Sequence, residues 1–274
     1  MAGHSRERGE RLIGSAQPSA ALLPELPPWL TLVRAPNPGP MTLDGTNTWV
    51  LRDPGSAECV VIDPGPLDEG HLSALATLGP VAIILLTHGH PDHRDGLARL
   101  AEMTGARVAD GPVDGVDLTA AGLRIRRLAT PGHTRDSCCF RVFAGNDQAV
   151  FTGDTVLGRG TTVVAYPDGD LGDYLDSLRL LEQLGPVPVM PGHGPALGDC
   201  AAAARFYLDH RIARLGQVRG ALAAGARTST EVVAVVYADV DRALWPAAEL
   251  SVKAQLAFLH DRESNGPVSR LHPP

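Results

Sequence analysis

The sequence has few cysteines, no long hydrophobic run and no excess of positive charge. Its four cysteines, Cys59, Cys138, Cys139 and Cys200, show no C-x-x-C spacing, which argues against a zinc knuckle or a redox pair. We interpret them as small buried residues of a protein that folds in a reducing compartment. No stretch approaches the ~20 apolar residues that a membrane-spanning helix needs.

The charge balance and the N-terminal residues narrow the possible functions further. The formal net charge of −7 argues against tight nucleic-acid binding by overall charge, although a local basic groove would still be compatible with it. The first residues mix acidic and basic side chains without an apolar run, so they do not read as a secretory signal. We therefore expect a cytoplasmic protein without a membrane partner.

Three segments of different composition follow one another along the chain. Residues 1–28 form a polar, Pro-containing tail that we expect to be mobile or loosely docked. Residues 29–200 read as short apolar strands and helices joined by Gly-rich and Pro-rich turns. Residues 201–274 predict a long Ala-rich helix and two or three further helices. This last segment has nine Arg or Lys residues against seven Asp or Glu, so it is slightly basic.

The motif THGHPDH directly follows the apolar run VAIILL and contains four possible metal ligands. His88 and His90 are two residues apart at the end of a strand, so their side chains leave the same face. Pro91 then turns the chain, which lets Asp92 and His93 converge. Nitrogen and oxygen ligands without a thiolate suit Zn²⁺, Mn²⁺ or Fe²⁺. A catalytic zinc needs only about three protein ligands, so this motif indicates two metal ions.

Three further motifs each place one ligand-type residue at the end of a strand. TPGHT contains His133, FTGDT contains Asp154 and MPGHG contains His193. Glycines let the backbone approach a bound ion closely, and loops at strand ends are where α/β sheets build their sites. The remaining histidines have no such context and are expected not to bind metal: His4, His71, His210, His260 and His272.

In order and spacing, these four motifs resemble those of the metallo-β-lactamase fold superfamily over roughly residues 29–200. The resemblance implies an α/β fold, an αββα sandwich with a dinuclear metal site on one edge. It also implies two ions, with zinc as the first expectation and iron or manganese as alternatives. The implied ligands are His88, His90 and His133 for the first ion, Asp92, His93 and His193 for the second, and Asp154 as the bridge.

Two adjacent metal ions predict metal-assisted hydrolysis. They hold a water molecule between them, lower its pKa to near neutrality and thereby provide a hydroxide nucleophile. Asp92 is the candidate catalytic residue because its carboxylate can orient that hydroxide. Phosphodiesters, thioesters, lactones and β-lactams are all compatible substrates. The loop after the bridging residue offers Arg159, Thr161 and Tyr166 as candidate substrate-binding residues, although it can equally be an ordinary connection.

The C-terminal segment resembles the winged-helix-like region of one subfamily, the β-lactamase-like protein 2 group. HRIARLGQV, Tyr237 and the tripeptide LWP are its landmarks, and we expect Leu244 and Trp245 to pack in the core of this region. Animal members of the group are described as single-strand endoribonucleases, so the resemblance implies single-stranded RNA as the substrate. The alternatives are a small-molecule hydrolase, with glyoxalase II-like thioesterase, lactonase or β-lactamase activity, and a non-catalytic scaffold. The sequence does not define the oligomeric state.

Overall fold

The computed structural model describes residues 21–109 and 114–264, and two five-stranded sheets packed face to face form its centre. The first sheet contains, in spatial order, β1 (Leu30–Arg34), β2 (Asn47–Leu51), β3 (Cys59–Ile62), β4 (Val81–Leu85) and β5 (Arg107–Ala109). The second contains β6 (Asp117–Ala120), β7 (Leu123–Ala129), β8 (Cys138–Ala144), β9 (Asp147–Gly153) and β10 (Val189–Pro191). Both sheets are mixed, because β4 pairs in parallel with β3 and β5, and β10 with β9, while the other pairs are antiparallel.

Helices cover the outer faces of the two sheets. Near the first sheet are α1 (Glu69–Thr77), α2 (Pro91–Arg94) and α3 (Leu97–Thr104). Near the second are α4 (Leu171–Glu182), α5 (Cys200–Ala223), α6 (Ser229–Val236) and α7 (Trp245–Ser264), with a 3₁₀ turn at Arg242–Leu244. The predicted αββα sandwich is therefore confirmed. Among the described residues, no helix is long and apolar enough to cross a membrane.

The short strand β3 shows how one sequence pattern builds this layered core. Its four residues are all fully buried, as expected for a strand that is covered on both faces. Val60 and Ile62 belong to the cluster between the two sheets, whereas Cys59 and Val61 belong to the cluster under α1 and α3. This alternation follows from the period of two residues in a strand.

The C-terminal helices share a hydrophobic cluster with the second sheet. Leu178 of α4, Tyr207 of α5, Val232 of α6 and Val252 of α7 are all fully buried in this cluster. The domain boundary predicted after residue 200 coincides with the start of α5. The hydrophobic cluster contains residues from both sides of this boundary, so the division into two domains stays a prediction. The segment from 200 to 264, described throughout, contains helices and no strand.

The structure also describes most of the other residues for which the sequence supports a prediction. Trp245 packs, half-buried, against the C-terminal cluster as predicted. Leu244 is also half-buried and lines a cavity, and its predicted role as a core residue stays a prediction. The four cysteines are buried with free thiols, and burial raises the pKa of Cys138 and of Cys139 to about 12. Most of the predicted tail, residues 1–20, lies outside the described residues.

Candidate metal centre

The predicted ligands all come from segments that follow the strands, at one edge of the sandwich. After β4 the chain carries His88 and His90 and then enters α2, where proline occupies the first turn. His133 follows β7, Asp154 follows β9 and His193 follows β10. Each of these four strands ends at or shortly before a glycine, which lets the backbone turn close to the site.

Four of these side chains form one compact group. His88, His90, His133 and Asp154 each offer one ligand atom, and these atoms lie within 4.8 Å of one another. Nδ1 of His90 lies 3.0 Å from Nε2 of His88 and 3.0 Å from Nε2 of His133. His88 and His133 are buried, with 3% and 4% of their surfaces exposed. Three imidazole nitrogens therefore converge on one point.

The other three side chains form a second group beside the first. Nε2 of His193 lies 3.2 Å from Nε2 of His93 and 3.2 Å from Oδ2 of Asp92. Asp154 lies between the groups, because its Oδ2 is 3.7 Å from Nε2 of His133 while its Oδ1 is 3.4 Å from Nε2 of both His93 and His193. This division matches the predicted ligand sets and the predicted bridge, and metal binding by these atoms stays a prediction.

Residues behind the ligands fix two of the imidazole rings. The carbonyl of Val163 accepts a hydrogen bond from Nδ1 of His133 at 2.6 Å, which leaves Nε2 free to bind a cation. Nδ1 of His93 donates to the buried carboxylate of Asp63 at 2.8 Å. Asp63 is not among the residues predicted from the sequence, although it follows the buried strand β3 as the ligands follow their strands. The same criterion of a polar residue at a strand end would have found it.

The electrostatics of the site follow from burial and from the two inner carboxylates. Burial lowers the pKa of His88 and of His133, which keeps these imidazoles neutral. Burial also acts to lower the pKa of His193, but the carboxylates of Asp154 and Asp92 outweigh it and raise this pKa to about 9. Burial raises the pKa of Asp154, but His193 and His93 outweigh it, so the pKa lies well below its usual value and the carboxylate is ionised.

Two observations show that these residues fit divalent cations. Oδ1 of Asp154 is buried and has no hydrogen bond to any described residue, although two imidazole nitrogens lie 3.4 Å away, whereas a buried carboxylate oxygen normally accepts one. A Cβ added at Gly192 would lie 2.6 Å from this oxygen and 2.6 Å from Cε1 of His93, so the backbone approaches the site as closely as it can. The donors are imidazole nitrogens and carboxylate oxygens, a set that suits Zn²⁺, Fe²⁺ or Mn²⁺.

Two adjoining cavities lead to this centre. A small one of about 210 Å³ reaches ligands of both groups, and Ala247 and Leu250 of α7 form part of its wall. A larger one of about 560 Å³ touches His133 and Asp154 and extends between α5 and the 3₁₀ turn. The C-terminal helices therefore cover the candidate metal centre, a placement that the sequence analysis did not predict.

The three candidate substrate-binding residues lie in different surroundings. Arg159 and Thr161 line the larger cavity. The guanidinium of Arg159 also forms a bidentate ion pair with the carboxylate of Asp44 at the exposed rim. Its Nη1 lies 2.5 Å from Oδ2 and its Nη2 lies 2.8 Å from Oδ1. Tyr166 is 39% exposed and lies outside the lining of both cavities. The structure thus brings two of the three residues to the site.

Sequence comparison assigns this combination of fold and ligand groups to a family. A model of the metallo-beta-lactamase superfamily matches residues 41–119 and 105–193. A model of the beta-lactamase associated winged helix domain matches residues 228–263. The chain belongs to the metallo-beta-lactamase superfamily and is a hydrolase of that class, as the motifs predict.

Individual relatives agree with this assignment over most of the chain. A beta-lactamase-like protein 2 homolog of Caenorhabditis elegans is 32% identical over 254 residues, covering 84% of this chain and 83% of its own. An atrochrysone carboxyl ACP thioesterase of Aspergillus fumigatus is 33% identical over 261 residues, covering 83% and 80%. A metallo-beta-lactamase family protein of Thermus thermophilus shares the fold, with a TM-score of 0.74 at 24% identity over 87% of this chain and 95% of that one. The predicted resemblance to the β-lactamase-like protein 2 group is confirmed.

Proposed function

We propose that this chain is a dinuclear, zinc-dependent hydrolase that cleaves a thioester of a small organic acid. The observation that carries the proposal is the cavity of about 560 Å³, which begins at His133 and Asp154 and is walled by the C-terminal helices. A volume of this size lies within the range of roughly 300–1,000 Å³ that is typical of small-molecule sites. A relative of comparable identity carries the name of an acyl-carrier-protein thioesterase, which supports the same substrate class.

The residues of the two groups would divide the chemistry between them. His88, His90 and His133 would hold one cation, Asp92, His93 and His193 the other, and Asp154 would contact both. Bound cations would lower the pKa of a water molecule and neutralise the oxyanion that forms when a thioester carbonyl is attacked. A zinc pair is favoured by a donor set of five imidazoles and two carboxylates.

Asp92 is the carboxylate best placed to handle a proton in this reaction. Its side chain is 26% exposed and lines the smaller cavity, whereas Asp154 is only 12% exposed. Thr46 Oγ1 donates to its Oδ2 at 3.3 Å, and His193 lies 3.2 Å from the same oxygen. Burial raises the pKa of Asp92, but its hydrogen bond with His193 and the nearby His93 outweigh burial, so the pKa is lowered. The ionised carboxylate can therefore orient a water molecule and accept its proton.

The proposal is tested by thioester hydrolysis with matched metal-site and surface variants. We expect the zinc-loaded protein to hydrolyse acyl-glutathione or acyl-N-acetylcysteamine thioesters. Chelation and Asp154→Ala should each reduce the rate to background, and re-added Zn²⁺ should restore only the chelated wild type. Asp209→Asn, which changes an exposed carboxylate on α5, should retain the wild-type rate. Activity that persists in Asp154→Ala, or no turnover of either thioester by a protein that contains two zinc ions, would contradict the proposal.

Single-stranded RNA is the second candidate substrate, and one observation favours it. The similarity to beta-lactamase-like protein 2 homologs extends over more than four fifths of the chain, including the C-terminal region. The surface near the site does not favour RNA. Exposed Asp239 and Asp241 interrupt the positive charge of Arg159 at the cavity rim, whereas binding of a single strand needs a continuous basic groove. Cleavage of an unstructured oligoribonucleotide by wild type, lost in His88→Ala, would make RNA the substrate.

A further inference from the structure

The larger cavity contains two buried arginines that have no carboxylate partner among the described residues. Arg211 and Arg214 lie one turn apart on α5, are 3% and 6% exposed, and both line the cavity. No ion pair joins either of them to an acidic residue of the described chain. By contrast, the exposed Arg205 of the same helix pairs with Glu182 at 2.9 Å. Burial of a guanidinium without a counter-ion is costly, so two in one cavity call for a ligand that supplies negative charge.

The contacts that hold these arginines do not neutralise them. Arg211 donates to the carbonyl of Thr162 and lies 5.2 Å from the ring centre of Tyr174. Arg214 donates to the carbonyl of Val236 at 2.7 Å and lies 4.4 Å from the ring centre of Tyr237. Carbonyls and aromatic faces position a guanidinium and attract it weakly, but none of them carries a full negative charge.

Two buried nitrogen atoms beside these guanidinium groups also lack hydrogen-bond partners in the part of the chain that the structure describes. Nε of Arg211 and Nδ1 of the adjacent His210 are buried without a partner among the described residues. Burial, reinforced by the positive charges of Arg211 and Arg214, lowers the pKa of His210 to about 3, so this imidazole is neutral. Asp239 and Asp241 also line the cavity but are exposed and form no ion pair with either arginine. The cavity wall therefore carries two positive charges, and the nitrogen atoms without a described partner are buried beside them.

We propose that Arg211 and Arg214 bind an oxyanion, a carboxylate or a phosphate, that is carried by the organic part of the substrate. This inference rests on the proposed function, because it places the anion in the cavity that also reaches the scissile bond at His133 and Asp154. Another part of the wall is apolar and includes Leu157, Val240 and Ala248, while Arg159, Asp239 and Asp241 lie at the rim. The structure thus fits a molecule with a short apolar body, a hydrolysable thioester at one end and an anion at the other.

Equilibrium binding to the zinc-loaded full chain tests the inference without any turnover. The probes are hexanoate, hexyl phosphate and the neutral hexanamide, measured by isothermal titration calorimetry. We expect both anions to bind at least about tenfold more tightly than hexanamide, because a charge-assisted hydrogen bond contributes at least that much. The tighter of the two anions identifies the source of the oxyanion, and either order supports the inference. Equal binding of hexanamide would overturn it.

Variants on one helix separate the arginines from the metal ions, which also attract anions. Arg211→Gln and Arg214→Gln should each weaken hexanoate binding about tenfold or more, while Arg219→Gln, on the exposed face of α5, should bind as wild type does. Circular dichroism verifies folding. If Arg214→Gln unfolds, Arg214→Lys, which keeps the charge, replaces it. This variant should bind hexanoate more weakly than wild type does, but more tightly than wild type binds hexanamide. Wild-type binding in both arginine variants, with loss only on chelation, would overturn the inference. A chain that binds the anions but hydrolyses no thioester would overturn the proposed function alone.

Discussion

We predict that Asp63→Asn weakens metal binding, because Asp63 holds the imidazole of His93 from behind. Its carboxylate accepts hydrogen bonds from the Thr87 amide at 2.8 Å, from Thr87 Oγ1 at 2.7 Å and from His93 Nδ1 at 2.8 Å. A cation on Nε2 of His93 requires the proton to be on Nδ1, the atom that faces Asp63. Asp63→Asn keeps the size of the side chain and tolerates the local φ of 54°, but it turns one acceptor into a donor.

Neither orientation of the new amide satisfies all three partners. If its NH₂ group faces the Thr87 amide, two donors oppose each other in a buried site. If its NH₂ group faces His93, the imidazole must accept on Nδ1, which places the proton on Nε2 and blocks the cation. Loss of such a supporting contact costs about 10–100-fold in metal affinity or activity, or about 1.4–2.8 kcal/mol. A buried donor without a partner costs about 1–3 kcal/mol, which agrees with that range.

The measurement is zinc affinity by competition with a chelator, together with kcat/KM on the thioester. We expect Asp63→Asn to weaken binding of one zinc ion by about 10–100-fold and to lower kcat/KM by a similar factor. Asp209→Asn is the matched control, since it removes an exposed carboxylate far along the same chain. If a folded Asp63→Asn protein bound both zinc ions as tightly as wild type, the assigned tautomer of His93 would be wrong.

Two further predictions concern stability. Burial lowers the pKa of His71, against a smaller opposing effect of Asp68, so the unfolded chain binds more protons below the ordinary histidine value of about 6.5. The free energy of unfolding should therefore fall as the pH drops through that value. Urea titrations at several pH values should show a smaller fall for His71→Gln than for wild type. An unchanged dependence of the unfolding free energy on pH would contradict this prediction. Leu178→Ala, at a fully buried position, should lower the free energy of unfolding by about 2–5 kcal/mol. Val235→Ala is the control, because Val235 is 64% exposed and its loss should change the free energy of unfolding little. Similar effects of the two substitutions would contradict the described core.

The ligand groups could be predicted because each depends on local sequence. His88, Asp154 and His193 each follow an apolar run, and His133 follows the alternating strand LRIRRLA. All four stand in turns with glycine, a pattern that is visible within about ten residues. The ends of neighbouring strands meet at one edge of a sheet, so spacing along the chain translates into closeness in space. The sandwich itself followed from the same motifs through the family resemblance.

The surroundings of the ligands could not be predicted in this way, because they depend on contacts between distant segments. Asp63 lies 30 residues before His93, and nothing in the sequence between them indicates that the two side chains meet. The helical pattern of α7 predicts a helix but not the surface on which it docks. Arg211 and Arg214 read as ordinary charges of a basic helix, and only the structure shows that they are buried.

Different parts of the chain form the candidate metal centre and most of the cavity that would select the substrate. Residues that would hold the cations come from the sandwich, between His88 and His193. Much of the cavity wall comes instead from α5, the 3₁₀ turn and α7, including both unpaired arginines. A chain of this architecture can therefore keep one hydrolytic centre while substitutions in these helices change the substrate. The differing names of equally similar relatives are what such an arrangement would produce.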